Sequence, residues 1–237
     1  MFKQLYTRKI AIFISSLVFG VLSFTLPGCA QETNDAEPVE EALAEVAFLD
    51  RDMVMGDVNA PIEIIEYASL TCNHCATFHN SVLPEIKEKY VDTGKAKIVV
   101  RSFLLNAIDL SASTLTRCVS EKRYFPFVNA LFNRQTEWYD IPEYQRLSAE
   151  HDQQTANQMF VDNTLDEVAK IARQVGMNKK KIDACMADEK IGEYLFSVQQ
   201  EAIENYKVSA TPTIIVNGNK TGNDYASVAK AIEDALD

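Results

Sequence analysis

Cys72-Asn73-His74-Cys75 offers a chemistry that no other stretch of this chain does. The four residues follow the strand-like run Ile62 to Ala68 and open the helix-like stretch Ala76 to Tyr90. At a helix N-terminus the unpaired backbone N–H groups and the dipole stabilise an anion, so the first sulfur of such a pair becomes a thiolate near neutral pH. Two intervening residues let the second sulfur reach back and close a disulfide. Cys72 is therefore the candidate attacking sulfur and Cys75 the candidate resolving one. His74 can donate a hydrogen bond or a positive charge to Cys72; an exposed polar role is its alternative. Half of a zinc site has the same spacing, but zinc needs a second ligand pair, and Cys29, Cys118 and Cys185 stand singly. No metal and no other cofactor is expected.

The elements that must hold this motif are legible around it. Phe48 to Met55, Ile62 to Ala68 and Lys97 to Phe103 read as strands. Between the last two, a helix presents Phe78, Val82, Ile86 and Tyr90 on one side, and Pro84 should kink it because it lacks a backbone donor. The unit is βαβ with the motif at its strand-to-helix turn. Near the C-terminus, Thr213 to Val216, the turn Asn217-Gly218-Asn219 and a helix from Tyr225 to Leu236 read as strand, hairpin and closing helix. Between these halves the apolar residues recur at helical spacing, as in Val168, Ile171, Ala172 and Val175. Gly176 is a candidate C-cap there and Asn163 or Thr164 a candidate N-cap. The aromatics Tyr124, Phe125, Phe127, Phe132 and Trp138 read as the core of this helical part.

With 23 basic against 34 acidic residues the net charge of −11 argues against nucleic acid and against docking on anionic lipid. Lys3, Arg8 and Lys9 precede the apolar stretch Ile10 to Leu26, which ends in Leu26-Pro27-Gly28-Cys29. This reads as an export signal, too short to span a bilayer comfortably. Cys29 after a small residue resembles a bacterial lipobox, in which that cysteine is lipidated and becomes the mature N-terminus; Pro27 departs from that pattern. Ordinary signal cleavage nearby, leaving Cys29 free or removed, is the alternative, and in either case the protein is expected outside the reducing cytosol, in the periplasm, where disulfides persist. The stretch after Cys29 is acidic, carries no Lys or Arg up to Val46, and reads as a tether. The organisation expected is an export signal over residues 1–28, a tether over 29–47, an α/β domain over 48–106 and 199–237, and a helical domain over 107–198.

A βαβ half, a helical insertion and a ββα half, with Cys72-Asn73-His74-Cys75 in the first and Ala210-Thr211-Pro212-Thr213 in the second, resemble the DsbA family of disulfide oxidoreductases over residues 48 to 237. The resemblance implies a thioredoxin-like α/β fold with an inserted helical domain. It further implies a disulfide at Cys72–Cys75, donated to exported client polypeptides through a mixed disulfide at Cys72 and regenerated by a membrane redox partner, with a monomer expected. Asn73 and Thr211 stand where the best-known members have Pro and often Val, which bears on oxidising strength. Glu66, six positions before Cys72, matches the family's buried acid. It shares a strand face with Ile62 and Ile64, an apolar setting that penalises its charge and suits a proton relay to Cys75; a strand-edge carboxylate facing water is the alternative, and Glu63 reads as one. Thr211-Pro212 matches the family's cis peptide, next to which a client strand pairs with the backbone of Thr211. Cys118 and Cys185, both in the insertion, are expected to pair in an oxidising compartment; closing a loop of about 67 residues is worth about 4 kcal/mol, and two free buried thiols are the alternative. The competing functions are a disulfide reductase or isomerase, and a non-catalytic adaptor or metallochaperone. Only the tether lies between Cys29 and Phe48, where isomerases of this kind carry a dimerisation domain, which favours the oxidase.

Overall fold

The computed structural model describes residues 47–237. Five strands form one mixed sheet in the order β1-β3-β2-β4-β5, with β1 Val54–Met55, β2 Ile62–Ala68, β3 Ala96–Ser102, β4 Thr213–Val216 and β5 Asn219–Thr221. β2 and β3 run parallel, joined by a helical crossover over residues 73–91; β4 lies antiparallel to β2, and β5 to β4. The central β2 buries both faces. Ile62, Ile64, Glu66 and Ala68 point to the crossover helix, while Ile65 and Tyr67 pack with Val99, Phe103, Ala202, Val208 and Ile215. Such a strand reads as a nearly continuous apolar run, and Glu66 is its one interruption inside the core. The β4–β5 turn is made by Asn217 and Gly218, both at positive φ (43° and 82°), the geometry that this dipeptide tolerates.

The crossover helix is irregular. The N–H of Leu83 donates to the carbonyl of Phe78, five residues back, so Phe78–Val82 forms a π-turn, and Lys87–Val91 forms a second. Pro84 cannot donate, and the expected kink is spread over the wider turn that precedes it.

The insertion comprises the helices Ala107–Arg117, Glu121–Asn133, Gln135–Trp138, Ile141–Glu150, Gln153–Gln174, Lys179–Ala187 and Glu189–Tyr206. Asx residues start most of them: the side chains of Asn106, Asp140, Asp152, Asn178 and Asp188 each accept a backbone N–H of the first turn. Tyr124, Phe127, Phe132 and Trp138 are buried, with Trp138 Nε1 donating to the Leu131 carbonyl at 2.7 Å. The last helix continues across positions 198 and 199, and its final turns carry Ala202 and Tyr206 onto the sheet.

Two expectations need correction. Only Val54–Met55 of the run Phe48 to Met55 is strand, because Leu49 gives its N–H to the Arg117 carbonyl of the insertion instead of to a sheet neighbour. Asn163 and Thr164 cap nothing: they lie inside the helix Gln153–Gln174, whose N-cap is Asp152, and Thr164 is buried in the stripe Ala156-Phe160-Thr164-Val168 that faces the core. Gly176 sits at φ 88° just past the end of that helix and donates its N–H to Arg173.

Candidate functional site

Cys72 is the N-cap residue of the crossover helix, in extended conformation (φ −87°, ψ 119°), and its carbonyl accepts the N–H of Ala76 at 3.1 Å. That conformation turns its sulfur back over the first helical amides. The backbone N–H groups of His74 and Cys75, the Cys75 thiol and the Thr211 side chain all favour the thiolate, and against the penalty of burial they lower the Cys72 pKa from 9.0 to about 5. The Cys75 hydrogen bond is the largest of these contributions. Both sulfurs are thiols in this structure. Cys75 is fully buried and moves the other way: its bond to Cys72, burial and the charge of Glu66 push its thiol far up. The His74 side chain is exposed, so its contribution to Cys72 comes through the main chain.

The loop before the motif is pinned from the insertion. Leu70 N–H donates to Asp109 Oδ1 at 2.9 Å, and Leu105 N–H to Asp109 Oδ2 at 3.0 Å. Burial raises the Asp109 pKa, against which Ser69 and these amides act. Gln135 Nε2 donates to the carbonyls of both Leu70 (2.7 Å) and Cys72 (3.0 Å), and Asn106 Nδ2 to Thr71 Oγ1 at 3.0 Å. Inspection of the sequence missed Asp109 and Gln135. Asp109 carried a partial signal as the third residue after the Asx cap Asn106; Gln135, an amide beside an aromatic run, carried none.

Opposite the motif, Thr211-Pro212 is cis, and the Thr211 carbonyl lies 3.4 Å from Cys72 Sγ, which donates to it. Beneath it, Glu66 stands on β2 between Val100 of β3 and Ile214 of β4, with a side chain shut off from solvent. His79, four residues after Cys75, puts Nε2 2.8 Å from Glu66 Oε2. The two are close but not aligned as a hydrogen bond, and neither has another polar partner among the described residues. The structure thus gathers Cys72, Cys75, Glu66, Thr211 and Pro212 in one place and adds His79. Glu63 stays half-exposed beside Lys97. Cys118 and Cys185 lie elsewhere, in the insertion, bonded to each other with S–S 1.96 Å and Cα–Cα 6.1 Å. Cys29 and the export segment lie outside the described residues.

A helix N-terminus that holds one sulfur as an anion, above a sheet closed by a cis-proline loop, is the working end of thioredoxin-fold proteins that exchange thiols and disulfides. The family model described as thioredoxin matches residues 49–234. A relative from Rickettsia felis named as a protein-disulfide oxidoreductase is 30% identical over 90% of this chain, which spans 69% of that relative. Wolbachia pipientis alpha-DsbA1 superposes with a TM-score of 0.65 at 31% identity, over 78% of this chain and 90% of that one. A protein-disulfide isomerase from Novosphingobium aromaticivorans superposes equally well, at 26% identity over 78% and 97% of the two chains. The chain belongs to the thioredoxin family, as a DsbA-like thiol–disulfide oxidoreductase.

Proposed function

We propose that the protein works in the periplasm as a disulfide donor. A thiolate of an exported client attacks Cys72 of the Cys72–Cys75 disulfide, the client is held as a mixed disulfide at Cys72, and its second thiolate releases it oxidised. A membrane redox partner then reoxidises the pair, and Cys29, lipidated at the end of the export segment, tethers the enzyme near that membrane. Thr211 and Pro212 receive the client backbone by strand addition beside Cys72, and Glu66 relays the proton of Cys75. Cys118–Cys185 stabilises the helical domain and takes no part in turnover.

The observation that carries this reading is the opposition of the two thiols. A sulfur held as thiolate near pH 5 is a good leaving group and stabilises the reduced state, and a pair whose reduced state is stabilised accepts electrons readily. Equilibration with glutathione tests it. A potential above about −180 mV supports the donor, whereas one near thioredoxin's, about −270 mV, would make the protein a reductase. A Cys75→Ala variant should accumulate client complexes linked through Cys72 on non-reducing gels, and their absence would leave an adaptor without exchange.

A further inference from the structure

The Glu66–His79 pair is not accounted for by the cysteines alone. Pro84 and the π-turn before it set the position of His79, which falls in Phe78–Val82 on the inner face of the helix. Its side chain is 1% exposed and that of Glu66 0%. The imidazole stacks on Phe132 of the insertion (centroids 4.0 Å, 26°) and meets the edge of Phe78 on its own helix (6.3 Å, 74°). Aromatic walls on two sides leave the carboxylate of Glu66 as the polar group the ring faces. Both carboxylate oxygens and both ring nitrogens are buried without a hydrogen bond.

Two ionisable groups in that setting constrain each other. A lone buried charge is costly, so the pair is most stable holding one proton between them, as acid and imidazole or as carboxylate and imidazolium, with no net charge in either form. The other titratable groups that face this spot are Cys75 near the start of the same helix and Tyr124 on the insertion helix Glu121–Asn133. Glu66 acts electrostatically on both Cys75 and Tyr124. Tyr124 donates to the Val100 carbonyl at 3.3 Å and is also under the influence of Arg117.

We propose that His79 is the proton partner of Glu66, so that the pair, and not the carboxylate alone, supplies and retrieves the proton of Cys75. When a client thiolate attacks Cys72, the Cys72–Cys75 bond breaks and Cys75 leaves with its electron pair. It takes the proton of the Glu66–His79 pair, which becomes an anion. The client's second thiolate then attacks the client sulfur of the mixed disulfide, and Cys72 departs as a thiolate. Two electrons have moved from client to enzyme. On reoxidation Cys75 returns its proton to the pair as it attacks, and the pair is neutral again. Histidine suits the task because its imidazole gains and loses a proton in the neutral range, which a lysine or arginine at the same place would not do. His79 acts through Glu66 and is a positioning residue. The inference rests on reading Cys72–Cys75 as the exchanging pair.

Reaction of the reduced protein with oxidised glutathione separates the steps: Cys72 captures glutathione, and Cys75 then expels it. The rate of the second step, read by acid quench and mass spectrometry, is to be followed from acid to alkaline pH in wild type, His79→Gln, Glu66→Gln and the double variant. In His79→Gln that step should slow about tenfold at neutral pH and its pH profile should move to higher pH, while the thiolate absorbance of Cys72 titrates unchanged. The double variant should be no slower than Glu66→Gln. A uniform drop with the wild-type pH profile, or additive losses in the double variant, would overturn the pairing. Imidazole nitrogen NMR together with the Glu66 side-chain carboxyl carbon signal of the unmodified protein provides a check that needs no variant: one of the two groups should differ in protonation between the disulfide and dithiol forms, and no change in either would overturn the proposal. Failure of wild-type Cys72 to capture glutathione at all would instead overturn the exchange reading beneath it.

Discussion

Two cysteine pairs sit in one chain and differ in everything but their element. Cys118 ends one insertion helix and Cys185 lies on another; both are wholly buried, and they are joined to each other. Cys72 and Cys75 share one helix turn, and there the environment splits them into an anion held by amides and a thiol held neutral by burial and Glu66. Reactivity therefore follows from asymmetry in the surroundings and not from sulfur or spacing as such. A pair without a thiolate-stabilising terminus is a cross-link; a pair with one is a switch.

The first way to break the comparison is to remove the cross-link. Cys118→Ala with Cys185→Ala should lower folding stability by about 4 kcal/mol on the chain-entropy account of a loop with a sequence separation of 67, and leave the potential of Cys72–Cys75 where it was. Urea unfolding and glutathione equilibration read the two effects. A shift in potential would mean that the insertion transmits its state to the motif.

A route for such transmission exists at Gln135. Its Nε2 holds the carbonyls of Leu70 and Cys72 together. Gln135→Ala leaves two buried acceptors without that donor, a cost of about 2 kcal/mol. The loss should fall on the motif as well as on stability, as a slower attack by Cys72, measured against an alkylating reagent at fixed pH. Unchanged alkylation with lowered stability would make Gln135 a brace for the fold and nothing more.

How far the sequence could have led to this is instructive at particular residues. The central strands, the closing hairpin and the last helix were legible because period and turn chemistry are local. The same locality exposed Cys72 and Cys75, whereas Glu66 stood out only through its match to the buried acid of the family. The strand expected from Phe48 was too long because the Leu49 amide is claimed by Arg117, a partner far along the chain. The π-turns were hidden because an extra residue in one turn barely changes the apolar pattern, although Pro84 marked the place. Asp109 and Gln135 act across 39 and 63 residues or more, where no spacing rule reaches. His79 could have been suspected from its i+4 relation to Cys75, but its contact with Glu66 needs the sheet to be in place.

A third test sharpens the asymmetry itself. From pH 9 down to about 5 the reduced protein carries a Cys72 thiolate and a Cys75 thiol, so oxidation sets free one proton for two electrons, and whatever part of it the Glu66–His79 pair keeps does not reach solvent. The potential should then fall by at most about 30 mV per pH unit, and by about 30 mV per unit more below pH 5, where both sulfurs are protonated. Stability follows with a definite sign. The folded Cys72 pKa lies below the unfolded one, so the stability that Cys72 contributes to the dithiol form is complete above pH 9. It declines as pH falls towards 5 and is absent below. Thermal unfolding of both redox forms across this range reads it, and a slope of 59 mV per unit at neutral pH would return Cys72 to an ordinary thiol.

The smallest expected effect belongs to Thr211. Its side chain is one of several groups that lower the Cys72 pKa, behind the bond from Cys75 and ahead of the backbone amides of Cys75 and His74. Thr211→Val removes that hydroxyl and keeps the volume close, so the Cys72 pKa should rise. The reduced state should lose about 1 kcal/mol, which makes the potential more negative by about 20 mV. The backbone carbonyl of Thr211, which accepts from Cys72 Sγ only while that sulfur is a thiol, is unaffected by the change. That separates hydroxyl from main chain: a shift in thiolate titration of the expected sign assigns the stabilisation to the side chain. An unchanged titration would leave the helix amides and Cys75 to hold the anion by themselves, making the asymmetry of the pair a property of the helix terminus alone.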